Sequence, residues 1–147
     1  MKLSTRMRYG TRSMLHLALN QESEPVSLRE ITSDQQLPHK YLERMLTTLR
    51  TTGLVRSIRG PQGGYALSKP PDEITLREVF DALEGSEGLV ECTTDPGACD
   101  RYDACVTQEV WTRMHTACME VLESTTLEDL AQRAREKQDP CAPMYYI

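Results

Sequence analysis

The sequence lacks a long apolar run. No stretch of its 147 residues approaches the roughly 20 consecutive apolar residues that a membrane span needs. The opening segment, MKLSTRMRYG, also lacks the apolar stretch of a signal peptide. We therefore expect a cytoplasmic protein with no membrane contact. Its length fits one small domain with a helical extension.

Patterns typical of catalysis are absent as well. The sequence contains no glycine-rich nucleotide-binding loop and no recognisable pairing of a nucleophile with a general base. It also lacks the second set of cysteines that a two-cluster electron carrier would need. These absences argue against an enzyme and against an electron carrier.

The charge of the chain is divided unevenly. The net charge is −5, but residues 1–69 carry eleven Lys or Arg and five Asp or Glu, while residues 70–147 carry six and seventeen. The first part therefore has a net charge of +6 and the second of −11. A basic segment can contact phosphate, so a nucleic-acid partner would bind the first part. Because such asymmetry is common among soluble proteins, this interpretation needs a motif to support it.

Two helices are predicted within the first 35 residues. Residues 4–20 repeat apolar side chains at helical spacing, and Thr5 and Arg6 lie on the basic polar side of this helix. Ser27 and Glu30 then form a capping box, in which each side chain accepts a hydrogen bond from the other residue's backbone amide. This box predicts the start of a short helix.

A longer helix follows and is the candidate recognition helix. Pro38 suits its first turn, an apolar stripe runs through it, and Gly53 is a typical C-terminal cap. A short helix, a tight break and a longer helix form a helix-turn-helix, whose second helix places its N-terminal residues against base edges in the major groove. The candidate DNA contacts are His39, Lys40, Tyr41, Glu43 and Arg44, together with Ser27, Thr5 and Arg6 from the preceding helices.

Two of these candidates have alternative roles. A carboxylate repels phosphate, so Glu43 would act on DNA mainly by accepting a hydrogen bond from a cytosine amino group. It could equally be a solvated residue paired with Lys40 or Arg44. Tyr41 could contact phosphate or belong to the core.

Two short strands, at residues 54–58 and 64–67, predict a hairpin after the recognition helix. Following a helix-turn-helix, such a hairpin is a wing. Arg59 beside the tip could enter a narrow minor groove, and Arg56 could reach a phosphate. Gly60 and Gln62 at the tip complete the candidate DNA contacts. An ordinary hairpin with solvated arginines is the alternative.

Three cysteines, Cys92, Cys99 and Cys105, lie in an acidic loop with almost no apolar periodicity. Core burial cannot order such a loop, whereas a metal centre held by thiolates can. The Cys-x2-Cys pairs usual in structural zinc sites are absent, and the wider Cys-x6-Cys-x5-Cys spacing suits an iron–sulfur cluster, either 2Fe-2S or 4Fe-4S. A zinc ion and redox-active thiols remain alternatives.

A cluster in this loop would need a fourth ligand. Gln108 and Glu109 lie about one helical turn after the last of the three cysteines and are the leading candidates. Cys141, in the C-terminal tail, ranks behind them. His115 and Cys118 lie about 15 and 20 Å further along a straight helix, at roughly 1.5 Å per residue, which is too far to close the same site.

The apolar residues from 106 to 122 recur every three or four positions and predict a long amphipathic helix. A partner must cover its stripe, so we expect a homodimer that reads a palindromic operator in double-stranded DNA. The predicted fold is mainly α-helical with a small β-hairpin wing. We expect a winged helix-turn-helix domain over residues 1–84, a cluster-binding loop over residues 85–105, a dimerisation helix and a final helix over residues 106–136, and a flexible tail over residues 137–147.

This layout resembles the IscR/NsrR-type family of winged helix-turn-helix transcription regulators, from Met1 to about residue 130. The residues that carry the resemblance are Met1 to Thr5, Arg8 to Gly10, Tyr41 to Glu43, Gly53 to Val55, Arg59 to Tyr65, and the three cysteines ahead of Trp111. The resemblance implies a homodimeric repressor or activator whose iron–sulfur cluster sets promoter choice. It also implies DNA contacts at Tyr41, Glu43 and Arg59.

One position departs from the family pattern. In the IscR branch a histidine stands three residues after the last cysteine, and this chain has Gln108 there. A neutral amide is a poor ligand for iron, which leaves the cluster type and the fourth ligand open. The alternative function is a cluster-independent regulator of the same fold, controlled by a protein partner, a small metabolite or zinc.

Overall fold

Six α-helices and one antiparallel hairpin make up the part of the chain that the computed structural model describes, residues 3–23, 25–35, 37–85 and 90–138. The elements are α1 (Thr5–Leu19), α2 (Leu28–Gln35), α3 (His39–Thr51), β1 (Val55–Ile58), β2 (Gly64–Leu67), α4 (Leu76–Glu84), α5 (Val106–Glu123) and α6 (Leu127–Gln138). The predicted fold class, a mainly helical chain with a small hairpin wing, is confirmed. Cys141 and the rest of the tail from residue 139 onward lie outside the described residues.

Side-chain caps define where several helices begin. The Ser27 backbone amide donates to Glu30 Oε2 over 2.8 Å, and the Glu30 amide donates to Ser27 Oγ over 3.2 Å. This is the predicted capping box, and α2 begins directly after Ser27. Thr75 and Glu78 form a second box of the same kind at the start of α4.

Gly53 turns the chain from the recognition helix α3 into the wing. Its φ of +79° is a left-handed conformation that favours glycine. The amide of Leu54 donates to the carbonyl of Leu49 over 2.9 Å, and the amide of Gly53 donates to that of Arg50 over 3.1 Å. These two bonds form a Schellman motif, which places β1 directly after α3.

The wing is a two-stranded hairpin whose register runs from Val55 opposite Leu67 to Ile58 opposite Gly64. Val26, which precedes α2, adds an isolated antiparallel bridge to Tyr65 of β2, with N–O distances of 2.8 and 3.0 Å. A Cβ at Gly64 would lie 2.3 Å from the carbonyl oxygen of Val26. The absence of a side chain at Gly64 therefore allows the wing to pack against the segment that begins the helix-turn-helix.

Helix α1 lies at the centre of the core and packs against α2, α3, α4, α6 and β2. Its core side chains Met14 and Leu17 are at most 1% exposed. Helix α6 returns to the same core, where Leu127 and Ala131 are fully buried. Backbone bonds from Leu76 to Thr125 and from Leu127 to Ile74, 2.8 and 2.9 Å long, fix the start of α6 beside the start of α4.

Helix α5 is little buried for its length, because Met119 is the only buried residue among its 18. It spans the interval between the cysteine loop and the return of the chain at α6. No helix along the described residues combines the length and the apolar character needed to cross a membrane.

Replacing Gly64 with alanine should destabilise the fold by about 1–3 kcal/mol, because the added methyl group must displace the backbone of Val26. Urea unfolding followed by circular dichroism measures this free energy. Gln62→Ala, at the exposed tip of the same hairpin, is the matched control and should change stability by less than about 0.5 kcal/mol. Equal stability of the two variants would contradict the close packing of Gly64 on Val26.

Candidate DNA interface and cysteine loop

The outward side of α3 is polar and largely exposed. Lys40, Glu43, Arg44 and Thr47 recur at helical spacing, are all exposed and, together with Thr48, line a shallow depression of about 620 Å³. The opposite side of the helix is apolar, and its residues Leu42, Met45, Leu46 and Leu49 are at most 2% exposed. Burial of that apolar side forces the polar side outward, as a recognition helix requires.

The N-terminus of α1 joins this surface. Arg6 Nη2 donates a hydrogen bond to Thr48 Oγ1 over 3.3 Å, and both residues line a second depression of about 300 Å³. Tyr41 and Arg44 line the same depression. Thr5 lies beside Arg6 and is exposed. The two predicted groups of DNA contacts, from α1 and from α3, therefore form one continuous surface.

Tyr41 lies between the core and the candidate DNA surface. Its ring packs edge-on against the ring of Tyr9, with centroids 6.4 Å apart, and Tyr41 is half-buried. Because it also lines the depression with Arg6, it connects the core to the surface. Glu43, by contrast, is exposed, and none of the ion pairs among the described residues includes it. The carboxylate of Glu43 is therefore accessible as an acceptor.

The remaining predicted contacts occupy two environments. His39 at the start of α3, and Arg59, Gly60 and Gln62 at the wing tip, are exposed. Two other candidates already hold structural hydrogen bonds: Arg56 Nε donates to the Leu67 carbonyl oxygen over 3.1 Å, and the hydroxyl of Ser27 caps α2. The side chain of Arg56 is thus held against the opposite strand of the hairpin, whereas that of Arg59 is exposed to solvent beside the tip.

The three candidate ligand cysteines lie among three short 3-10 turns between α4 and α5, at Glu91–Thr93, Pro96–Ala98 and Tyr102–Ala104. Cys99 is exposed, Cys92 and Cys105 are half-buried, and all three are free thiols. No three His, Cys, Asp or Glu side chains of the described segments gather into a group that could hold a metal ion. Three thiolates suit an iron–sulfur cluster chemically, but this loop must rearrange before they can share one.

Gln108 has a structural role in this conformation. Its Nε2 donates hydrogen bonds to Tyr102 Oη over 3.1 Å and to Thr112 Oγ1 over 2.8 Å. These two hydrogen bonds connect the last turn of the cysteine loop to α5. Glu109, the other leading candidate for a fourth ligand, is exposed.

Cys105 stands at the N-cap position of α5. Its Sγ lies 3.2 Å from Thr107 Oγ1, and a hydrogen bond from this hydroxyl is the main reason why the pKa of the Cys105 thiol falls below its ordinary value. The backbone amide of Gln108 lowers the pKa of Cys105 further. The lowered pKa increases the thiolate fraction, and the thiolate is the form that binds metals and attacks electrophiles.

The beginning of the loop is connected to the candidate DNA interface through the N-terminus of α1. Glu84, the last residue of α4, accepts a hydrogen bond from the hydroxyl of Ser4. Ser4 caps α1 by accepting from the Met7 amide over 3.0 Å, and Arg6 in the first turn of α1 contacts Thr48 of α3. Sequence patterns did not indicate the contact between Ser4 and Glu84, because eighty residues separate them.

Thr47, Thr48 and Thr107 also line the candidate DNA surface or contact a candidate ligand, and the sequence analysis did not select them. Thr47 continues the stripe of Lys40, Glu43 and Arg44 at helical spacing, so that pattern contained a signal for it. The contacts of Thr48 with Arg6 and of Thr107 with Cys105 depend on side-chain geometry and had no such signal.

A helix-turn-helix whose outward side meets the first turn of α1, followed by a hairpin, defines this chain as a winged helix-turn-helix protein. The Rrf2 family, described as an iron-dependent transcriptional regulator, matches residues 3–133. The chain belongs to this family and is an Rrf2-type transcription regulator. Relatives such as CymR and IscR are named HTH-type transcriptional regulators, in agreement with the expectation that the chain is not an enzyme.

Two relatives are similar to the chain over nearly its whole length. The chain is 42% identical to the HTH-type transcriptional regulator CymR of Bacillus subtilis strain 168 over 100% of both proteins. The structure of CymR, described as the global cysteine regulator of B. subtilis, is similar with a TM-score of 0.76 and 41% identity, over 90% of this chain and 98% of CymR. The structure of T. potens IscR is similar with a TM-score of 0.81 and 37% identity, over 99% and 97% of the two chains.

Replacing Thr107 with valine should raise the pKa of Cys105, because the variant loses the hydroxyl that stabilises the thiolate. Alkylation of Cys105 in the reduced, metal-free protein should then become slower near neutral pH. The pH at which the alkylation rate reaches half of its maximum should increase. Quantitative mass spectrometry of iodoacetamide-treated protein across a pH series measures both quantities.

Thr116→Val, at an exposed position further along α5, is the matched control for this prediction and should leave the pH profile of Cys105 unchanged. An identical profile for Thr107→Val and wild type would show that the hydroxyl does not act on the thiol.

Proposed function

We propose that the protein is a cytoplasmic homodimer that binds a palindromic DNA operator, and that an iron–sulfur cluster on Cys92, Cys99 and Cys105 controls this binding. One observation carries the proposal. Three free thiols stand on a loop that leaves α4, a helix of the winged core, and enters α5, a helix whose apolar side is exposed. A change in this loop can therefore act on both DNA reading and subunit contact.

The DNA interface in this proposal combines α3, the start of α1 and the wing. Lys40, Glu43 and Arg44 would face base edges in the major groove, since they occupy the exposed side of the N-terminal half of α3. Arg6, Thr5 and His39 would contact the phosphates beside the groove. Arg59 would reach the adjacent minor groove from the wing tip, with Gly60 and Gln62 next to it.

The dimer contact is assigned to α5. Val106, Val110, Met114 and Val121 lie on one side of this helix and are 80, 49, 41 and 64% exposed. Exposed apolar stripes of this kind mark sites of association, because covering them removes apolar surface from water. A second copy of α5 is the occupant that a two-fold DNA-binding dimer requires.

The cluster is supported by the donor chemistry of the loop and by the iron dependence attributed to the family. Thiolates bind the irons of such clusters, and the cluster would supply the loop with a redox-sensitive or iron-sensitive crosslink. The lowered pKa of the Cys105 thiol favours the thiolate, which is the form that would bind iron. Glu109 is exposed, whereas Gln108 is half-buried and its side chain is held by Tyr102 and Thr112, so Glu109 is the more accessible of the two neighbouring candidates for the fourth ligand.

The proposed mechanism is a shift in the population of DNA-competent dimers. Gathering the three thiols would reshape the loop between Glu84 and Cys105. Glu84 holds the cap of α1, and α1 carries Arg6 against the recognition helix, so the loop and the DNA interface share a hydrogen-bonded path. The same rearrangement would change the direction in which α5 leaves the core.

A cluster-independent regulator is the second candidate function. Two observations favour it: the thiols of the described residues form no metal-binding group, and the chain is 42% identical to CymR over its whole length. In this alternative, a protein partner, a small metabolite or a zinc ion controls DNA binding. The cysteines would then be dispensable for binding the operator, or in the zinc case would hold that ion.

A variant with serine in place of Cys92, Cys99 and Cys105 separates the two candidates. Wild-type protein purified without oxygen should show broad thiolate-to-iron absorption bands with matching iron and acid-labile sulfide, and the triple variant should show neither. Operator affinity of the wild type, measured by fluorescence anisotropy, should differ between the loaded and the cluster-free dimer. The triple variant should retain the cluster-free affinity under all conditions.

Cys118→Ser is the control, since Cys118 is half-buried on α5 beyond the loop and should be dispensable for the cluster. Wild-type protein that stays colourless after cluster reconstitution would favour the second candidate. A cluster that loads without changing the affinity for any operator would refute the regulatory role while leaving cluster binding in place.

Arg59→Ala should weaken operator binding by about tenfold, or roughly 1.4 kcal/mol, because it removes a guanidinium that would enter the minor groove or contact a phosphate. The operator is first obtained by in vitro selection with the wild-type protein, and affinity is then measured at fixed salt. Arg133→Ala removes an exposed arginine on α6, outside both the proposed DNA interface and the proposed dimer contact, and should leave the affinity unchanged. Unchanged affinity and specificity of Arg59→Ala would exclude the wing tip from the interface.

A further inference from the structure

We infer that Thr47 determines part of the operator sequence by placing its methyl group against the C5 methyl of a thymine in the major groove. This inference rests on the proposed binding of DNA by α3. It concerns a residue that lies a full turn beyond Glu43 and that the sequence analysis did not select. Three features of Thr47 carry it: its position on α3, the orientation of its hydroxyl and the chemistry of its neighbours.

The position of Thr47 places it on the reading side of the helix. It lies three residues after Arg44 and four after Glu43, and all three residues are exposed and line the same depression. Thr47 is two turns from the start of α3 at His39, whereas Thr51 is the last residue of the helix. Because Thr47 lines the same depression as Glu43 and Arg44, one turn beyond them, it borders the part of α3 that would contact base edges.

The hydroxyl of Thr47 is turned back onto the helix. Its Oγ1 donates a hydrogen bond to the carbonyl oxygen of Glu43 over 2.8 Å. The hydroxyl hydrogen therefore already has an acceptor within α3. The methyl group is the part of the side chain that remains available for an apolar contact. A threonine held in this way offers DNA an apolar contact on a stripe otherwise made of charged side chains.

The major groove has one matching apolar feature, the C5 methyl group of thymine, and the methyl of threonine is one of the groups that contact it. Thr48 does not compete for this role. It is half-buried, its hydroxyl donates to the Arg44 carbonyl oxygen over 3.2 Å, and it accepts a hydrogen bond from Arg6. Thr48 is accordingly a positioning residue for Arg6, and Thr47 is the residue free to read a base.

The test compares Thr47→Ser, which removes the methyl group, with Thr47→Val, which keeps it and removes the hydroxyl. Operators are selected in vitro with the full-length wild type and each variant. Each thymine of the wild-type operator is then replaced singly by deoxyuracil, which lacks only the methyl group. Thr51→Ser, one turn further along the same side of α3, is the matched control, and thermal unfolding checks that every variant is folded.

Wild type and Thr47→Val should prefer the same thymine in each half-site. Deoxyuracil at that position should weaken wild-type binding about three- to tenfold, as expected for the loss of one buried methyl contact. Thr47→Ser should lose this preference and bind the thymine and deoxyuracil operators equally. Thr51→Ser should behave as the wild type does.

Two results would overturn the inference and leave the proposed function intact. In the first, Thr47→Ser selects the wild-type operator and keeps its sensitivity to deoxyuracil. In the second, Thr47→Val loses the preference while Thr47→Ser keeps it, which would assign the reading to the hydroxyl. If the wild type enriches no sequence at all, the proposed operator binding fails, and the role of Thr47 fails with it.

Discussion

Burial of α1 is the constraint on which the other parts of the molecule depend. This helix packs against α2, α3, α4, α6 and β2, and the side chains through which it does so are nearly inaccessible to solvent. Its contact with α4 is especially close, because a Cβ at Gly10 would lie 2.2 Å from Leu83 Cδ1. The apolar side of α3 is buried in the same core, so the core itself determines which side of the recognition helix faces outward.

The same helix makes hydrogen bonds both to the end of α4, before the cysteine loop, and to the candidate DNA interface. Its N-terminal cap, Ser4, forms a hydrogen bond with Glu84 at the end of α4, and Arg6, two residues later, forms one with the recognition helix. The other end of the loop is held by Gln108 and by the N-terminus of α5. A ligand or an oxidant that reshaped the loop would therefore act on elements of the DNA-binding core and of the exposed α5 stripe together.

Most of the helix-turn-helix could be predicted because its signals are local. The capping box of Ser27 and Glu30, and the left-handed Gly53, involve residues that are close together in the chain, and hydrogen bonds over such short separations leave a recognisable pattern. The return of α6 to the core was not predicted. Its residues Leu127 and Ala131 are buried in a core shared with α1, and backbone hydrogen bonds join the start of α6 to Ile74 and Leu76, about fifty residues earlier in the chain.

The sequence by itself determined the secondary structure, the basic character of the first half, and the residue types available for binding DNA and metal, because these follow from periodicity, composition and spacing. Tertiary structure decided which of those residues are accessible and which are already engaged. The side chains of Arg56 and Gln108 donate hydrogen bonds to other parts of the fold. Arg59 and Glu43 are exposed and form no ion pair among the described residues. Those differences arise from side-chain contacts within the fold, and no pattern in a linear chain distinguishes a free arginine from an anchored one.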